Sequence, residues 1–207
     1  RQVVADVTES RRIEMYYDGE KVIDISREFL DTNGGRKFQD VTVVPTEQSI
    51  AQSVEHDLVA LLSEVENASQ QALIDNFDAT IYSGNVLYPL GGKYKLTPQL
   101  GMVHKIPVHL FGGLKTDDAS VMTYGYDPYL AVKSPYYGGY HAIMNSVLKA
   151  VALGVDASTI RLTVQEYFES LKGNPERWGK PLEALLGAYT AMRQVNLPSI
   201  GGKDSMS

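Results

Sequence analysis

The chain has 207 residues, enough for one domain with or without an appendage, and its 43% hydrophobic and 21% charged content is ordinary for a globular protein. A net charge of -6 argues against a nucleic-acid-binding surface. The absence of cysteine excludes disulfides, a thiolate nucleophile and cysteine-ligated zinc, and it fits a reducing cytoplasm. No apolar run approaches the ~20 residues that span a membrane, and no secretory leader is visible.

Residues 1–12 are polar and predict a frayed lead-in. Ile13–Tyr17 and Lys21–Ile25 flank Asp18-Gly19, a tight-hairpin dipeptide. Ser26 is placed to cap a short helix that Asn33-Gly34-Gly35 would end. A lone hairpin is marginal in water, so residues 1–40 are expected to lack a core of their own. Thr46 opens a helical pattern from Glu47 to about Glu66, with Ile50, Val54, Leu58, Leu61, Leu62 and Val65 on one face. Ser69 starts a shorter helix through Ile74. The period then changes, and Ala79–Tyr82, Val86–Leu90, Gly101–Lys105 and Val121–Tyr124 read as short strands. Gly138–Leu153 reads as a long helix that Gly154 ends, with Ile143, Val147, Ala150 and Val151 facing inward. Ile160–Thr163 reads as a strand, and Glu166–Leu171 and Pro181–Val195 as helices, with Pro175 and Pro181 suited to first turns. Ile200 onward reads as a final strand. Strands in a block with long helices beside them predict an α+β domain over residues 41–207, a mixed or antiparallel sheet with helices packed on one face.

The closing stretch, Leu197-Pro-Ser-Ile-Gly-Gly-Lys-Asp-Ser-Met-Ser207, concentrates the chemistry. Pro198 cannot continue a helix, Gly201 and Gly202 let main chain approach a bulky ligand, and Lys203, Asp204 and Ser205 offer a cation, an anion and a hydroxyl. The spacing is not that of the phosphate-binding G-x-x-x-x-G-K-[ST] loop, because Leu197 and Asp204 occupy its glycine and hydroxyl positions. A bare Gly-Gly-Lys, taken alone, reads first as a surface turn. His56, His104, His109 and His141 show no metal-ligand spacing. Asp117-Asp118 reads as a magnesium-holding pair or a solvated loop. Gly125-Tyr-Asp-Pro128 reads as a strand-ending turn or the border of a cleft. Tyr136-Tyr137-Gly138-Gly139, ahead of the long helix, reads as packing or as an anion seat on the helix N-terminus.

Five stretches together resemble one family. They are Asp18-Gly-Glu-Lys-Val-Ile-Asp-Ile-Ser-Arg-Glu-Phe-Leu-Asp-Thr-Asn-Gly34, Tyr88-Pro-Leu-Gly-Gly-Lys-Tyr-Lys-Leu-Thr-Pro98, Ser120-Val-Met-Thr-Tyr-Gly-Tyr-Asp-Pro-Tyr-Leu130, Arg177-Trp-Gly-Lys-Pro181 and the closing motif. In this order they resemble the large, single-chain form of phosphoribosylformylglycinamidine synthase, the amidotransferase of purine biosynthesis. The resemblance implies an internal piece of a much longer cytoplasmic ligase. Residues 1–40 would be the tail of a preceding domain plus a linker, and residues 41–207 an aminoimidazole-ribonucleotide-synthetase-like N-terminal domain truncated at its last strand. The parent would use ATP, magnesium and glutamine-derived ammonia to turn formylglycinamide ribonucleotide into its amidine. By the same resemblance, Gly201, Gly202, Lys203, Ser205, Ser120 and Gly125 bind ATP or substrate, and Asp204 takes the metal or orients Lys203. No catalytic residue falls within this piece. An auxiliary magnesium and ADP site is not expected, because Leu110, Asn145 and Lys149 stand at its ligand positions. The implied partners are the other domains of the polypeptide, including a twin domain and a glutaminase domain. Cut from its twin, the piece is expected to pair with itself through exposed strand edge. A non-catalytic scaffold and a phosphotransferase of the same superfamily are the alternatives.

Overall fold

The computed structural model describes residues 2–32, 38–44, 57–78 and 84–207. They divide into two compact units, residues 1–40 and 41–207. The first unit is a hairpin of β1 (Arg12–Tyr17) and β2 (Glu20–Ser26), antiparallel with Ile13 opposite Ile25. Asp18 and Gly19 both adopt left-handed φ, 49° and 82°, as the hairpin turn requires. Arg12 pairs with Asp24, and Lys21 reaches Glu14 at 2.6 Å and Asp24 at 3.2 Å. The Arg12 and Lys21 partners hold the Asp24 carboxyl below its usual range. Ser26 Oγ accepts from Phe29 N at 3.2 Å and so caps α1 (Arg27–Thr32). The predicted stop at Asn33-Gly34-Gly35 lies outside the described residues.

In the second unit, Thr46, Ile50, Val54, His56 and the Ala79–Tyr82 stretch also lie outside the described residues. The helical pattern expected to run to Glu66 appears as α2 (Leu58–Leu62), followed by a turn and a short 3-10 segment, Val65–Asn67. Two side chains compete with the helix ladder here. Ser63 Oγ donates back to the Val59 carbonyl at 2.7 Å, and Asn67 Nδ2 to the Leu61 carbonyl at 2.7 Å. Leu58 and Leu62, expected to face a core, are both 66% exposed. The next helix, α3 (Gln71–Leu73), starts just after Ser69, whose Oγ accepts from Gln71 N at 3.3 Å, and widens into a π turn over Ile74–Asp78.

The described strands of this unit form three separate sheets rather than the single block predicted. One is antiparallel, in the order β3 (Asn85–Leu87), β6 (Met102–Lys105), β7 (Ala119–Met122). A ribbon of β4 (Leu90–Gly91) and β5 (Thr97–Pro98) takes the end of the predicted Val86–Leu90 strand. The strand divides at Pro89, which has no N–H to give a ladder. The third sheet pairs β8 (Leu162–Phe168) in parallel with β9 (Ser199–Met206), Val164 opposite Gly202 and Tyr167 opposite Ser205.

Three helices lie between these strands: α4 (Pro128–Lys133), α5 (Pro135–Ala152) and α6 (Pro175–Val195). The α5 helix begins earlier than predicted, because Ser134 caps it and Pro135 takes its first position. Tyr136, Tyr137, Gly138 and Gly139 are therefore inside its first turns, not ahead of it. Gly154 follows its end with φ 90°. Ile143, Val147 and Ala150 are buried as expected, but Val151 is 44% exposed. The α6 helix begins at Pro175 under an Asn174 cap, so Pro181 is an interior residue and not a first-turn one. The Glu166–Leu171 stretch is not helical; its first half belongs to β8, whose burial alternates with the strand period. The core joins α5, α6 and β8 through Ile143, Val147, Leu162, Ala188, Ala191 and Leu197. Small residues allow the close helix contact. A Cβ on Gly187 would fall on the Tyr136 carbonyl, and one on Gly139 on the Ala184 carbonyl.

Candidate functional site

The β9 strand carries the motif in extended form, so Lys203 and Ser205 fall on one side and Gly202 and Asp204 on the other. Lys203 Nζ donates to Ser205 Oγ at 2.5 Å. Both residues line a cavity of about 470 Å³ bounded by β8 and by the first turns of α5, with Glu166, Tyr126, Gly138 and Gly139 among its other walls. The two glycines of the motif have different surroundings. A Cβ on Gly202 would come within 2.6 Å of the Val164 carbonyl oxygen, so strand packing already requires glycine there. A Cβ on Gly201 would meet nothing within 4 Å, so no neighbour in this chain requires its absence.

Asp204 is paired in register with Glu166 on β8 rather than with Lys203. Burial, and then the Asp204 charge, push the Glu166 carboxyl above its ordinary range. Glu166 is a site residue the sequence reading missed. Its stretch reads as a helix in the sequence, and only the parallel register of β8 and β9 brings it beside the motif. Among the described residues, no group of three or more His, Cys, Asp or Glu could hold a metal.

Ser120, Gly125, Asp117 and Asp118 are not among this cavity's lining residues, although Tyr126 of the Gly125–Pro128 turn is. Ser120 is exposed on β7, with Oγ donating to the His104 carbonyl at 3.3 Å. Gly125 is half-buried where the chain beyond β7 passes α5, and a Cβ there would fall on the Ala142 carbonyl. Asp127 caps α4 by accepting from Leu130 N at 2.9 Å, which makes Gly125–Pro128 a strand-to-helix turn. Asp117 pairs with Lys105 at 3.0 Å, and Asp118 accepts from Thr116 Oγ1 at 2.9 Å, so the two acids point to different partners. His104 Nδ1 lies 2.7 Å from the Lys105 carbonyl, and His109 and His141 are exposed. Leu110 and Asn145 are exposed, and Lys149 Nζ donates to the Tyr124 carbonyl at 3.0 Å and sits over the Tyr124 ring at 4.7 Å. No helix among the described residues is long and apolar enough to cross a membrane.

A mixed helix-and-strand domain that presents Lys203 and Ser205 at an open cavity has a solved counterpart. The structure described as T. maritima PurL complexed with ATP superposes on 96% of this chain with a TM-score of 0.59 and 16% sequence identity, so the two share a fold. In sequence, the chain is similar to the phosphoribosylformylglycinamidine synthase subunit PurL of Thermoplasma acidophilum, 25% identical over 215 residues that include 98% of the chain. It spans only 26% of that relative and 28% of the solved chain, so it resembles about a quarter of such a subunit. No family model matches it.

Proposed function

We propose that this chain is an internal piece of an ATP-dependent amidoligase that makes formylglycinamidine ribonucleotide in purine biosynthesis, with β9 as one wall of the ATP and substrate cleft. The observation that carries the reading is the pair Lys203 and Ser205, side by side at a cavity, preceded by the unobstructed main chain of Gly201. A cation, a hydroxyl and open backbone make up a donor set suited to phosphate oxygens. Bound ATP supplies the phosphoryl group that activates the substrate amide oxygen for displacement by ammonia. Lys203 offsets charge on that group as a point cation, and it holds the Ser205 hydroxyl ready to donate or accept. Asp204, with Glu166 beside it, supplies carboxylate oxygen of the kind that magnesium takes. Residues 41–207 would be a synthetase-like N-terminal domain and residues 1–40 the tail of the domain before it. A twin domain and a glutaminase domain would complete the cytoplasmic enzyme.

Replacing Lys203 by alanine in the intact enzyme is expected to lower kcat/KM for ATP at least about tenfold, a barrier increase of roughly 1.4 kcal/mol. Turnover unchanged at saturating and limiting ATP would refute the cleft-wall role. One observation favours a scaffold for the opposite part of the domain: Lys149, at a position where a metal ligand would be needed, is committed to Tyr124.

A further inference from the structure

The α6 helix carries two apolar faces. One, with Ala184, Ala188 and Ala191, is buried against the rest of the second unit. On the other, Trp178, Leu182, Leu185 and Tyr189 follow at steps of four, three and four residues, so they lie in one line along the helix, with Leu186 and Arg193 beside it. Leu182, Leu185, Leu186 and Tyr189 are between 37% and 54% exposed, and Trp178 is half-buried. Apolar residues scattered singly over a surface need no explanation, but this spacing is that of a seam between two helices. Arg193, the one charged residue of the stripe, has no ion-pair or ring partner among the described residues.

We propose that this stripe packs on the same stripe of a second copy of the chain, the two α6 helices running antiparallel about a two-fold axis between Leu185 and Leu186. The stripe itself selects a second copy as the occupant, because it is complementary to its own reverse. Such an axis sets Leu185 against the partner's Leu186, Leu182 against the partner's Tyr189, and Trp178 against the partner's Arg193. Apolar groups meet apolar groups along the middle, and each end brings a guanidinium to an indole ring, the strongest aromatic partner for a cation. The two Arg193 side chains stand at opposite ends, whereas a parallel pairing would set them against each other. The helix has 21 residues and is about 30 Å long. A seam over most of that length buries on the order of 1,000 Å² in the two copies together, the size at which specific interfaces begin. Ala184 and Ala188, which line the Lys203 and Ser205 cavity, lie on the buried face of α6, so the seam does not depend on what that cavity binds.

Light scattering on the full chain between about 1 and 100 μM tests the pairing, and the mass is expected to rise from that of one chain to that of two. Leu185→Glu should hold it at one chain throughout, with the circular dichroism of the dilute parent, because Leu185 is exposed in the single chain. Arg193→Ala should weaken the pairing roughly fivefold or more. The register is read by cross-linking, since the chain has no cysteine of its own. Leu182→Cys and Tyr189→Cys chains, mixed and oxidised, should form a disulfide with each other in preference to either with itself. The mass of one chain at every concentration would overturn the proposal. So would a dimer that Leu185→Glu leaves intact (pairing through strand edges instead), an Arg193→Ala dimer as tight as the parent, or Leu182→Cys chains that cross-link to themselves as readily as to Tyr189→Cys.

Discussion

Replacing Gly187 by alanine should destabilise this protein even though alanine is the better helix former. On an exposed helix the exchange would stabilise by about 0.8–1.0 kcal/mol. At position 187 the added methyl would land on the Tyr136 carbonyl, 2.8 Å from its carbon and 3.1 Å from the Tyr136 Cα. That obstacle is main chain in the first turn of α5, so no side-chain rotation relieves it and the two helices must separate. Overpacking of this kind costs about 1–3 kcal/mol. Separation would also loosen Ala188 and Ala191, which are 2% and 0% exposed at the same contact. Set against the propensity gain, the expected net loss is up to roughly 2 kcal/mol, or a drop in Tm of up to about 8 °C for a chain of this size. Thermal unfolding followed by circular dichroism, with a urea titration to check that the m-value holds, measures it. A Gly187→Ala protein that melts at or above the parent temperature would refute the claim that α5 and α6 meet backbone to backbone.

Four other outcomes are expected. Asn174→Ala should cost about 1 kcal/mol in urea unfolding, because Asn174 Oδ1 accepts from Glu176 N at 2.9 Å and Arg177 N at 3.2 Å. Gly202→Ala should destabilise the chain, since its Cβ would meet the Val164 carbonyl at 2.6 Å, whereas Gly201→Ala should stay within about 0.5 kcal/mol of parent in the same assay and still weaken ATP use by the intact enzyme. Glu166→Gln should show a pH-dependent gain. A carboxyl whose pKa rises on folding favours the folded state while protonated, so parent stability falls as pH climbs from the ordinary carboxylate range through the Glu166 titration. Glutamine mimics the protonated form and removes like charges opposite on the sheet, a gain of roughly 0.2–1 kcal/mol near pH 7 that vanishes below about pH 4; equal gains at both would contradict the Glu166–Asp204 contact. Glu169→Gln should change stability by less than about 1 kcal/mol, because its partners Lys180 and Arg177 are all at the surface, and any loss should shrink in high salt.

The elements legible in the sequence were those specified locally. Asp18-Gly19 dictates its turn whatever surrounds it, and the Ser26, Ser69 and Pro175 start signals act within one helical turn. The errors came where distant partners decide. Glu166–Leu171 reads as a helix, yet pairing with β9 draws its first half into a strand. Tyr136-Tyr137-Gly138-Gly139 reads as packing or an anion seat ahead of the long helix, whereas it forms the first turns of α5, where Gly139 lets α6 approach and Gly138 lets α4 approach. The same limit applies to the candidate site. Lys203 and Ser205 are legible as a motif, whereas Ser120 and Gly125 join them only by resemblance; Gly125 lies beside Tyr126, which lines the Lys203 and Ser205 cavity. Glu166 had no signal of its own before the register was known.

The parallel pairing of β8 with β9 also constrains the order of assembly. The whole of α6 separates the two strands, so β8 emerges during synthesis without the neighbour that completes it, and the α5–α6 contact can form first. Pulse labelling during refolding should therefore protect the helix amides before those of either strand. Because the motif's backbone takes its final shape only when β9 docks, any ligand gripped by Lys203 and Ser205 meets a domain that is already folded, and its binding adds to stability without guiding the chain there.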